Sequence, residues 1–287
     1  MDVLVVGAVA YDAKVVTIWE GFRDWFRAQG LDLDYVLYSN YERQVEALVA
    51  GEISVAWNSP LAWARAHRLA AAAGLDVTAV AMRDSDCDLT SVVVVRADGL
   101  VGEVADLEGR LVGVGAVDSP QATLIPLGHL RAAGLVPGGD FGVRRHDVGV
   151  GKHGDHVGGE RDAARALMAG EVDAACMIDG NHLIFTTEGT LPPGATRILS
   201  QTPPYDHCNF TALGSESSPL PEALARFRAL LLGMSYDDPD LRPLLDLEGL
   251  KEWRAGRTTG YGLLEAAIRD LRFYDDEGDV TAAEYRP

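Results

Sequence analysis

The most constraining feature of the sequence is a short apolar run that passes through a small polar turn into a helical pattern. Residues 111–117 read LVGVGAV, residues 118–123 read DSPQAT, and a helical pattern continues to residue 135. Ser119 is a suitable N-cap, and Pro120 suits a first helical turn. Backbone amides at such a start, supported by the helix dipole, bind small oxyanions. The stretch predicts a strand, a helix start and a candidate anion site, although an ordinary capped helix has the same pattern.

The same order of strand, turn and helix recurs along the chain. Apolar or alternating runs near residues 3–11, 31–38, 53–57 and 111–117 each precede a helical pattern. This order is typical of doubly wound α/β sheets, whose turns gather along one edge and bind ligands there. We therefore expect an α/β fold of two doubly wound lobes joined by hinge strands, with a ligand cleft between them. Residues 1–88 with about 243–287 are expected to form lobe I, and residues 89–242 lobe II.

The charge balance limits the partners that the chain can attract. The 287 residues include 43 acidic and 25 basic side chains, for a formal net charge of -18. Such a field repels nucleic acids and anionic membrane surfaces. We expect no nucleic-acid partner, and any anion site must be local, built from backbone donors or a few arginines. A zwitterionic or cationic ligand remains compatible with the charge.

The cysteines and the N-terminal residues bear on the compartment. Cys87, Cys176 and Cys208 are widely separated and form neither a disulfide framework nor a CxxC metal pair. The first residues enter an apolar strand without the features of a signal peptide, and no apolar run approaches the roughly 20 residues of a transmembrane helix. The expectation is a cytoplasmic protein without membrane insertion, or a periplasmic or extracellular one if a signal peptide has been removed.

Four segments together resemble a known family. They are AGEISVAWNSPLAWARA at 50–66, DLEGRLVGVGAVDSPQATLIPLGHLRAAGL at 106–135, ARALMAGEVDAACMIDGNH at 164–182 and LSQTPPYDHCNF at 199–210. In this order they resemble the phosphonate/phosphite-type substrate-binding proteins of ABC transporters. The resemblance runs from about residue 3 to residue 261. It implies a type 2 periplasmic-binding-protein fold, in which two α/β lobes close on a small molecule.

The resemblance also implies which residues contact the ligand. The hydroxyls of Ser119 and Thr123 would hold its oxyanion, within a set comprising Tyr11, Trp57, Asn58, Ser59, Ser119, Gln121, Thr123, Asp179, Tyr205 and Asp206. Where phosphonate binders carry successive hydroxyls, this chain has Pro120 and Ala122, and Asp118 adds a negative charge. A carboxylate, sulfonate or zwitterion is therefore an alternative to phosphonate. Core packing is the alternative for Trp57, and capping of the following turn is the alternative for Asp179.

A glycine-rich loop near residue 155 contains a group of metal-ligand residue types. His153, Asp155, His156 and Glu160 lie within eight residues. They could bind a divalent metal, and the imidazoles could act as general bases near neutral pH. The spacing matches no strong metal signature, and a solvated surface loop is the alternative. No cofactor is favoured, and a divalent metal remains possible.

The segment YDHCN at 205–209 carries an acid, an imidazole and a thiol. Asp206 or His207 could hold a ligand amine or transfer a proton, and Cys208 could act as a nucleophile if its thiolate were stabilised. Neighbouring side chains of a regular strand point to opposite faces, so His207 and Cys208 are not expected to line one face together. A buried structural thiol is the alternative for Cys208.

Two functions follow from these observations. The main hypothesis is a solute-binding protein for a small oxyanionic or zwitterionic metabolite, with an ABC permease as partner only if the protein is exported. The alternative is a cytosolic enzyme on the same fold, of decarboxylase, lyase or dehydratase type. In that case Asp206, His207, His153 and His156 would supply acid and base catalysis, with or without a metal.

Overall fold

The structure is a computed structural model that describes residues 3–155, 157–215 and 218–287. Within these ranges, the helices are all too short or too polar to cross a membrane. The chain divides into two compact units. The first comprises Met1–Cys87, Asp206–Tyr261 and Tyr274–Asp279, and the second comprises Asp88–Tyr205, Gly262–Phe273 and Val280–Pro287.

The first unit is built around a six-stranded sheet. Its strands are β1 (Leu4–Val9), β2 (Leu33–Tyr38), β3 (Val55–Asn58), β4 (Val77–Arg83), β10 (Asn209–Leu213) and β11 (Trp253–Ala255). Its helices are α1 (Lys14–Ala28), α2 (Tyr41–Val49), α3 (Pro60–Ala72), α7 (Glu222–Leu232) and α8 (Arg242–Glu248). The strand order is β11-β4-β10-β3-β1-β2. β1 pairs in parallel with β2 and β3, whereas β10 runs antiparallel to both β3 and β4.

The second unit is built around a five-stranded sheet. Its strands are β5 (Ser91–Arg96), β6 (Leu111–Val114), β7 (Gly142–Arg145), β8 (Ala174–Ile178) and β9 (Thr196–Gln201). Its helices are α4 (Ile125–Ala132), α5 (Gly158–Met168), α6 (Asp179–Thr187) and α9 (Gly262–Leu271). The strand order is β7-β6-β8-β5-β9. β6 is parallel to β7 and β8, and β5 is antiparallel to β8 and β9.

The observed division of the chain differs from the expected one in two places. Residues 206–242, expected in lobe II, belong to the first unit because β10 supplies the strand between β3 and β4. Residues 262–273 and 280–287, expected in lobe I, belong to the second unit because α9 packs against α4. In both cases a late segment of the chain returns to an earlier one, a pairing that helical or strand periodicity does not encode.

Local sequence patterns explain the helices of the first unit. In α1 the buried residues are Val15, Ile18, Trp19, Phe22 and Phe26, which recur with helical spacing on one face. The side chain of Asn40 caps α2 by accepting a hydrogen bond from the Arg43 amide at 2.9 Å. Ser59 caps α3 in the same way, and Pro60 occupies its first turn. The predicted order of strands and helices is therefore present, and α2 and α3 each begin with a side-chain cap.

The core of the first unit centres on aromatic side chains around Phe210 in β10. The ring centroid of Phe210 lies 4.7 Å from Trp57, 5.0 Å from Phe227 and 5.3 Å from Trp253. Trp19 completes this group with an edge contact at 6.0 Å. The returning strand β10 thus supplies both sheet hydrogen bonds and the central ring of the core.

We predict that Phe210→Ala destabilises the first unit by about 3–5 kcal/mol, because it leaves a cavity among rings that cannot collapse freely. The measurement is urea unfolding followed by tryptophan fluorescence. All five tryptophans, at positions 19, 25, 57, 63 and 253, lie in the first unit, so the signal reports on that unit. Val16→Ala, at a residue 42% exposed in α1, is the control and should change stability by less than about 0.5 kcal/mol. A loss below about 1 kcal/mol for Phe210→Ala would contradict the central role of this ring.

Candidate functional site

The helix start predicted at Ser119 exists, and it begins with an unusual turn. Pro120–Leu124 form a π-helical turn that continues into α4. The amides of Thr123 and Leu124 both donate to the carbonyl oxygen of Ser119, at 3.2 and 2.9 Å. Wide turns of this kind occur often at functional sites. The sequence showed the cap and the proline but carried no signal for the π geometry.

The polar groups of this turn are engaged within the second unit. Ser119 Oγ accepts a hydrogen bond from the Ala122 amide at 3.2 Å, and Thr123 Oγ1 donates to the carbonyl oxygen of Ala116 at 2.7 Å. Ser119 and Thr123 are both buried. The amides of Ala122, Thr123 and Leu124 therefore already have acceptors in this structure. An anion held there would have to replace some of these bonds.

The loop at residues 149–155 lies directly against the helix start. Gln121 Nε2 donates to the carbonyl oxygen of Gly154 at 2.8 Å. Gly154 has a φ of +76°, and a Cβ at this position would overlap the side chains of Ser119 and Gln121. Only glycine fits both the left-handed conformation and the close approach. The loop at 149–155, which the sequence suggested as part of a metal site, thus packs against the helix start at Ser119, which the sequence suggested as an anion site.

Asp118 joins the loop to the helix start. Its Oδ2 accepts hydrogen bonds from the amides of Gly151 and His153, at 2.6 and 3.1 Å. Its Oδ1 is buried and has no hydrogen-bond partner within the described ranges. Burial raises the pKa of the Asp118 carboxyl above its ordinary value of 3.8, although His153 and the two amides oppose the shift. A carboxylate of this chain therefore takes up loop amides that could otherwise face an anionic ligand.

Tyr205 supports the same turn through Ser91, the first residue of β5. Its hydroxyl lies 2.7 Å from Ser91 Oγ, and Ser91 Oγ donates to the carbonyl oxygen of Gln121 at 2.5 Å. Because the Ser91 proton is used in the second bond, the Tyr205 hydroxyl is the donor in the first. Burial raises the Tyr205 pKa far above its ordinary value. In this structure Tyr205 thus positions the helix start through Ser91.

Two acidic candidates lie at the start of α6. Asp179 Oδ1 accepts from the Gly180 amide at 2.7 Å, and its Oδ2 accepts from Thr90 Oγ1 at 2.8 Å. Glu160 Oε2 accepts from the Ile178 amide at 3.0 Å and from Asn181 Nδ2 at 2.8 Å. Asp179 is the first residue of α6 and binds the amide next to it, but the N-cap position is Ile178 and no side-chain cap forms there, so the capping alternative stays a prediction. Glu160, considered as a metal ligand, stabilises the same helix start.

His153, the described histidine of the loop, is not grouped with Asp155 and Glu160 as a metal ligand. His153 is 1% exposed, and its Nε2 lies 3.3 Å from the hydroxyl of Tyr285. His156 lies outside the described residues. Within the described ranges, His153, Asp155 and Glu160 do not belong to any group of three ligand atoms spaced for a metal ion. The solvated-loop alternative is wrong for His153, because the C-terminal Tyr285 and the helix start enclose it.

Three candidates lie at the end of β3 or directly after it, and they divide between core packing and polar contacts. Trp57 is 6% exposed and packs into the aromatic core, and the Arg83 guanidinium lies 5.2 Å from its ring. Ser59 Oγ accepts from the Ala62 amide at 3.1 Å as the cap of α3. Asn58 Oδ1 accepts from Gln44 Nε2 at 2.8 Å, while Asn58 Nδ2 is buried without an acceptor in the described part of the chain. Asn58 is thus the member of this set with an unused buried donor.

Tyr11 lies two residues after the end of β1. Its side chain is half-buried against the aromatic core, and Lys14 Nζ lies 5.7 Å from its ring centroid. Trp63 was not among the candidates, but its Nε1 is also buried without an acceptor within the described residues. An indole donor on a helix that follows a strand end has no sequence signature that distinguishes it from core packing.

Asp206 is held in a bidentate ion pair. Arg257 Nε and Nη2 donate to its two carboxylate oxygens at 2.7 and 2.6 Å, and Asp206 itself is 1% exposed. A ligand amine at Asp206 would have to compete with this guanidinium. Arg257 carries no sequence signal for this pairing, because it lies about fifty residues away in an irregular segment.

His207 and Cys208 lie on the same side, contrary to the expectation for a regular strand. His207 Nδ1 is 3.1 Å from Cys208 Sγ. The alternation does not apply because β10 begins only at Asn209. His207 Nδ1 is also 3.5 Å from Asp86 Oδ1, and the His207 amide donates to the Asp86 carbonyl oxygen at 2.8 Å. Asp86, which the sequence analysis did not consider, completes a compact group of three titratable side chains.

The neighbours of Asp86 stabilise its ionised carboxylate. Arg83 Nε and Nη2 donate to its two carboxylate oxygens at 2.5 and 2.9 Å. Burial by itself opposes ionisation, but Arg83 and then His207 outweigh it, and the pKa of the Asp86 carboxyl falls from 3.8 to about 2. The RDSD sequence at 83–86 was the available signal, because it places an arginine and an acid one turn apart directly after a strand.

We predict that Asp118→Asn changes the pH dependence of stability. The native pKa of the Asp118 carboxyl is raised, so the ionised group opposes folding at neutral pH, and this effect disappears as the pH falls through that pKa. The variant, which cannot ionise, should gain stability relative to the wild type at pH 7 and lose this advantage in acid. Denaturant unfolding from pH 7 towards pH 4 tests this. A difference in stability that does not vary with pH would contradict the buried, uncompensated charge.

Comparison with known proteins identifies the family. A family model described as ABC transporter, phosphonate, periplasmic substrate-binding protein matches residues 6–261. No curated protein matches the chain significantly.

Solved structures share the fold at low sequence identity. PhnD1 from Prochlorococcus marinus, in complex with methylphosphonate, is 18% identical, with a TM-score of 0.68 over 94% of this chain and 98% of that chain. A binding-protein component of an ABC phosphonate transporter from Pseudomonas aeruginosa is 14% identical, with a TM-score of 0.60 over 94% and 87%. The periplasmic aliphatic sulphonate-binding protein SsuA from Escherichia coli is 17% identical, with a TM-score of 0.56 over 100% and 95%. These similarities confirm the predicted type 2 periplasmic-binding-protein fold, and by its match over most of its length the chain belongs to the phosphonate family of ABC transporter substrate-binding proteins.

Proposed function

We propose that this chain binds a small oxyanionic or zwitterionic metabolite and delivers it to an ABC permease. The observation that carries the proposal is the family match over residues 6–261. The enzyme alternative receives no support from the comparisons, which are with binding proteins. The acid candidate Asp206 is also paired with Arg257 within its own unit, and Glu160, considered as a metal ligand, accepts a hydrogen bond from the Ile178 amide.

The proposed location is outside the cytoplasmic membrane. The family is described as periplasmic, which does not support the cytoplasmic expectation and favours the exported alternative. A receptor that supplies a permease must meet its ligand on the side from which transport begins. The permease is therefore part of the proposal.

We place the negative end of the ligand at the helix start of the second unit. Ser119 Oγ accepts the Ala122 amide and so retains its own proton to donate. Thr123 Oγ1 would have to exchange its bond to Ala116 for one to the ligand. Because the chain as a whole carries a charge of -18, an anion at this point depends on such local donors and on the helix dipole.

Asp118 bears on the charge of the ligand. A buried carboxylate next to the helix start repels a dianion more strongly than a monoanion. Pro120 removes one amide donor, and Ala122 offers no hydroxyl. We therefore favour a singly charged group, a sulfonate or a carboxylate, over a phosphonate dianion. A zwitterion with such a group is included. Tyr11, Asn58 and Asp179 stay predictions as contacts for the remainder of the ligand.

The test is calorimetric titration of the purified protein with methylphosphonate, a short alkanesulfonate, inorganic phosphate, a short carboxylate and a zwitterionic amino acid. Native mass spectrometry of gently purified protein complements it by detecting a co-purifying ligand. We expect one equivalent of a monoanionic or zwitterionic compound to bind more tightly than methylphosphonate. Recovery of that compound unchanged after prolonged incubation supports binding alone, whereas a chemical product would support the enzyme alternative. Preferential binding of a dianion would contradict the role given to Asp118.

Ser119→Ala tests the position of the anion. It should weaken binding of the preferred ligand by about 10-fold or more, because a hydrogen bond to a charged group is lost. It should also cost about 1 kcal/mol of stability as a lost helix cap. Asn40→Ala is the matched control, since it removes the cap of α2 with a similar stability cost. Equal affinities for the wild type and Ser119→Ala would exclude this helix start as the anion site.

A further inference from the structure

A buried group of three different metal-ligand side chains lies outside the proposed anion site. Asp86 follows β4, and His207 and Cys208 immediately precede β10. Their exposed fractions are 2%, 7% and 2%. One ligand atom from each lies within 4.8 Å of the others, a spacing found in no other group of three in the described ranges.

The distances match the edges of a metal coordination sphere. Nδ1 of His207 is 3.1 Å from Cys208 Sγ and 3.5 Å from Asp86 Oδ1. The third edge, between Cys208 Sγ and an Asp86 carboxylate oxygen, is at most 4.8 Å. The nearest point equidistant from three atoms so separated lies about 2–2.4 Å from each, close to the zinc–nitrogen, zinc–oxygen and zinc–sulfur bond lengths. The backbone already holds the two segments together, because the His207 amide donates to the Asp86 carbonyl oxygen. The ligands would thus need only small shifts.

The charges around the group also suit a divalent cation. Arg83 contacts both oxygens of Asp86 and, through Nη1, Glu248 Oε1 at 3.2 Å. With one guanidinium and two carboxylates, this cluster carries one net negative charge when His207 and Cys208 are neutral. A divalent cation that displaces the thiol proton adds one positive charge and makes the cluster neutral. The Asp86 oxygen that accepts from Arg83 retains a second lone pair, so it can bind both.

We propose that Asp86 Oδ1, His207 Nδ1 and Cys208 Sγ bind one zinc-type divalent cation, with water as the fourth ligand. Binding releases the Cys208 thiol proton and requires neutral His207 with its remaining proton on Nε2, so affinity rises with pH. The chain leaves the first unit after Cys87 and re-enters it at Asp206. Asp86 and His207 each lie one residue from these two positions, within the first unit. The ion would therefore tie together, within the first unit, the two segments that lead to the second. This role is independent of the ligand proposed above.

Cobalt(II) titration of chelator-treated protein tests the site, because a bound thiolate gives a near-ultraviolet charge-transfer absorption. We expect one equivalent to bind with this absorption and zinc to displace it. Cys208→Ser should abolish the absorption and lower the affinity for cobalt at least about 100-fold. This loss exceeds the decrease in metal affinity that usually follows removal of an outer-shell partner. His207→Gln is the second variant if Cys208→Ser does not fold, as judged by circular dichroism. It should weaken binding to a similar extent.

Matched controls separate this site from other thiols and from the loop. Cys87→Ser changes a neighbouring half-buried thiol, and His153→Ala changes the histidine of the loop at 149–155. Both should retain one equivalent of cobalt with the absorption unchanged. Absence of stoichiometric binding to the wild type, or a thiolate absorption that survives Cys208→Ser, would overturn the proposal. Failure of anion binding in the earlier titrations would leave this result unaffected.

Discussion

The first unit depends on the hydrogen bonding of one returning strand. β10 lies between β3 and β4 and runs antiparallel to both, so the sheet is interrupted without it. The same strand carries Phe210 into the aromatic core. β5 has the corresponding place in the second sheet, between β8 and β9. Each sheet thus includes a strand that comes just after the chain has left the other unit. The first sheet joins strands that are distant in sequence, whereas the second is built from the consecutive strands β5 to β9.

The residues just before β10 acquire their charged neighbours because this strand returns to the first sheet. Because β10 must enter between β3 and β4, residues 206–208 are brought beside Arg83 and Asp86 at the end of β4. Asp206 meets Arg257 in the same way, through the segment after β11. Two buried carboxylates of a strongly acidic chain are thereby paired with arginines. Unpaired burial of either charge would cost several kcal/mol.

Asp118 is held in a different manner, because one of its oxygens accepts two backbone amides while the other has no hydrogen-bond partner within the described ranges. Its carboxylate faces the amides of Gly151 and His153 and no arginine within the described residues. Backbone amides hold a negative charge without neutralising it, so the electrostatic field at the helix start of Ser119 remains sensitive to further anions. The hydrogen-bond chain from Tyr205 through Ser91 to Gln121 fixes the turn in place. For the anion site that we propose at this helix start, such an arrangement favours selection of the ligand by charge rather than by size.

The local sequence determined the strands, the helices and their caps. The apolar run before Ser119, the caps at Asn40 and Ser59, and the order of the four family-like segments are encoded within windows of a few residues, and all are present. Only the tertiary structure decided which groups meet. Asp86 and His207 are more than a hundred residues apart, as are β4 and β10, and the loop at 149–155 covers a turn thirty residues earlier. Periodicity and capping report the environment of a segment but not its partner, because the choice of partner rests on sheet order and on packing of the whole chain.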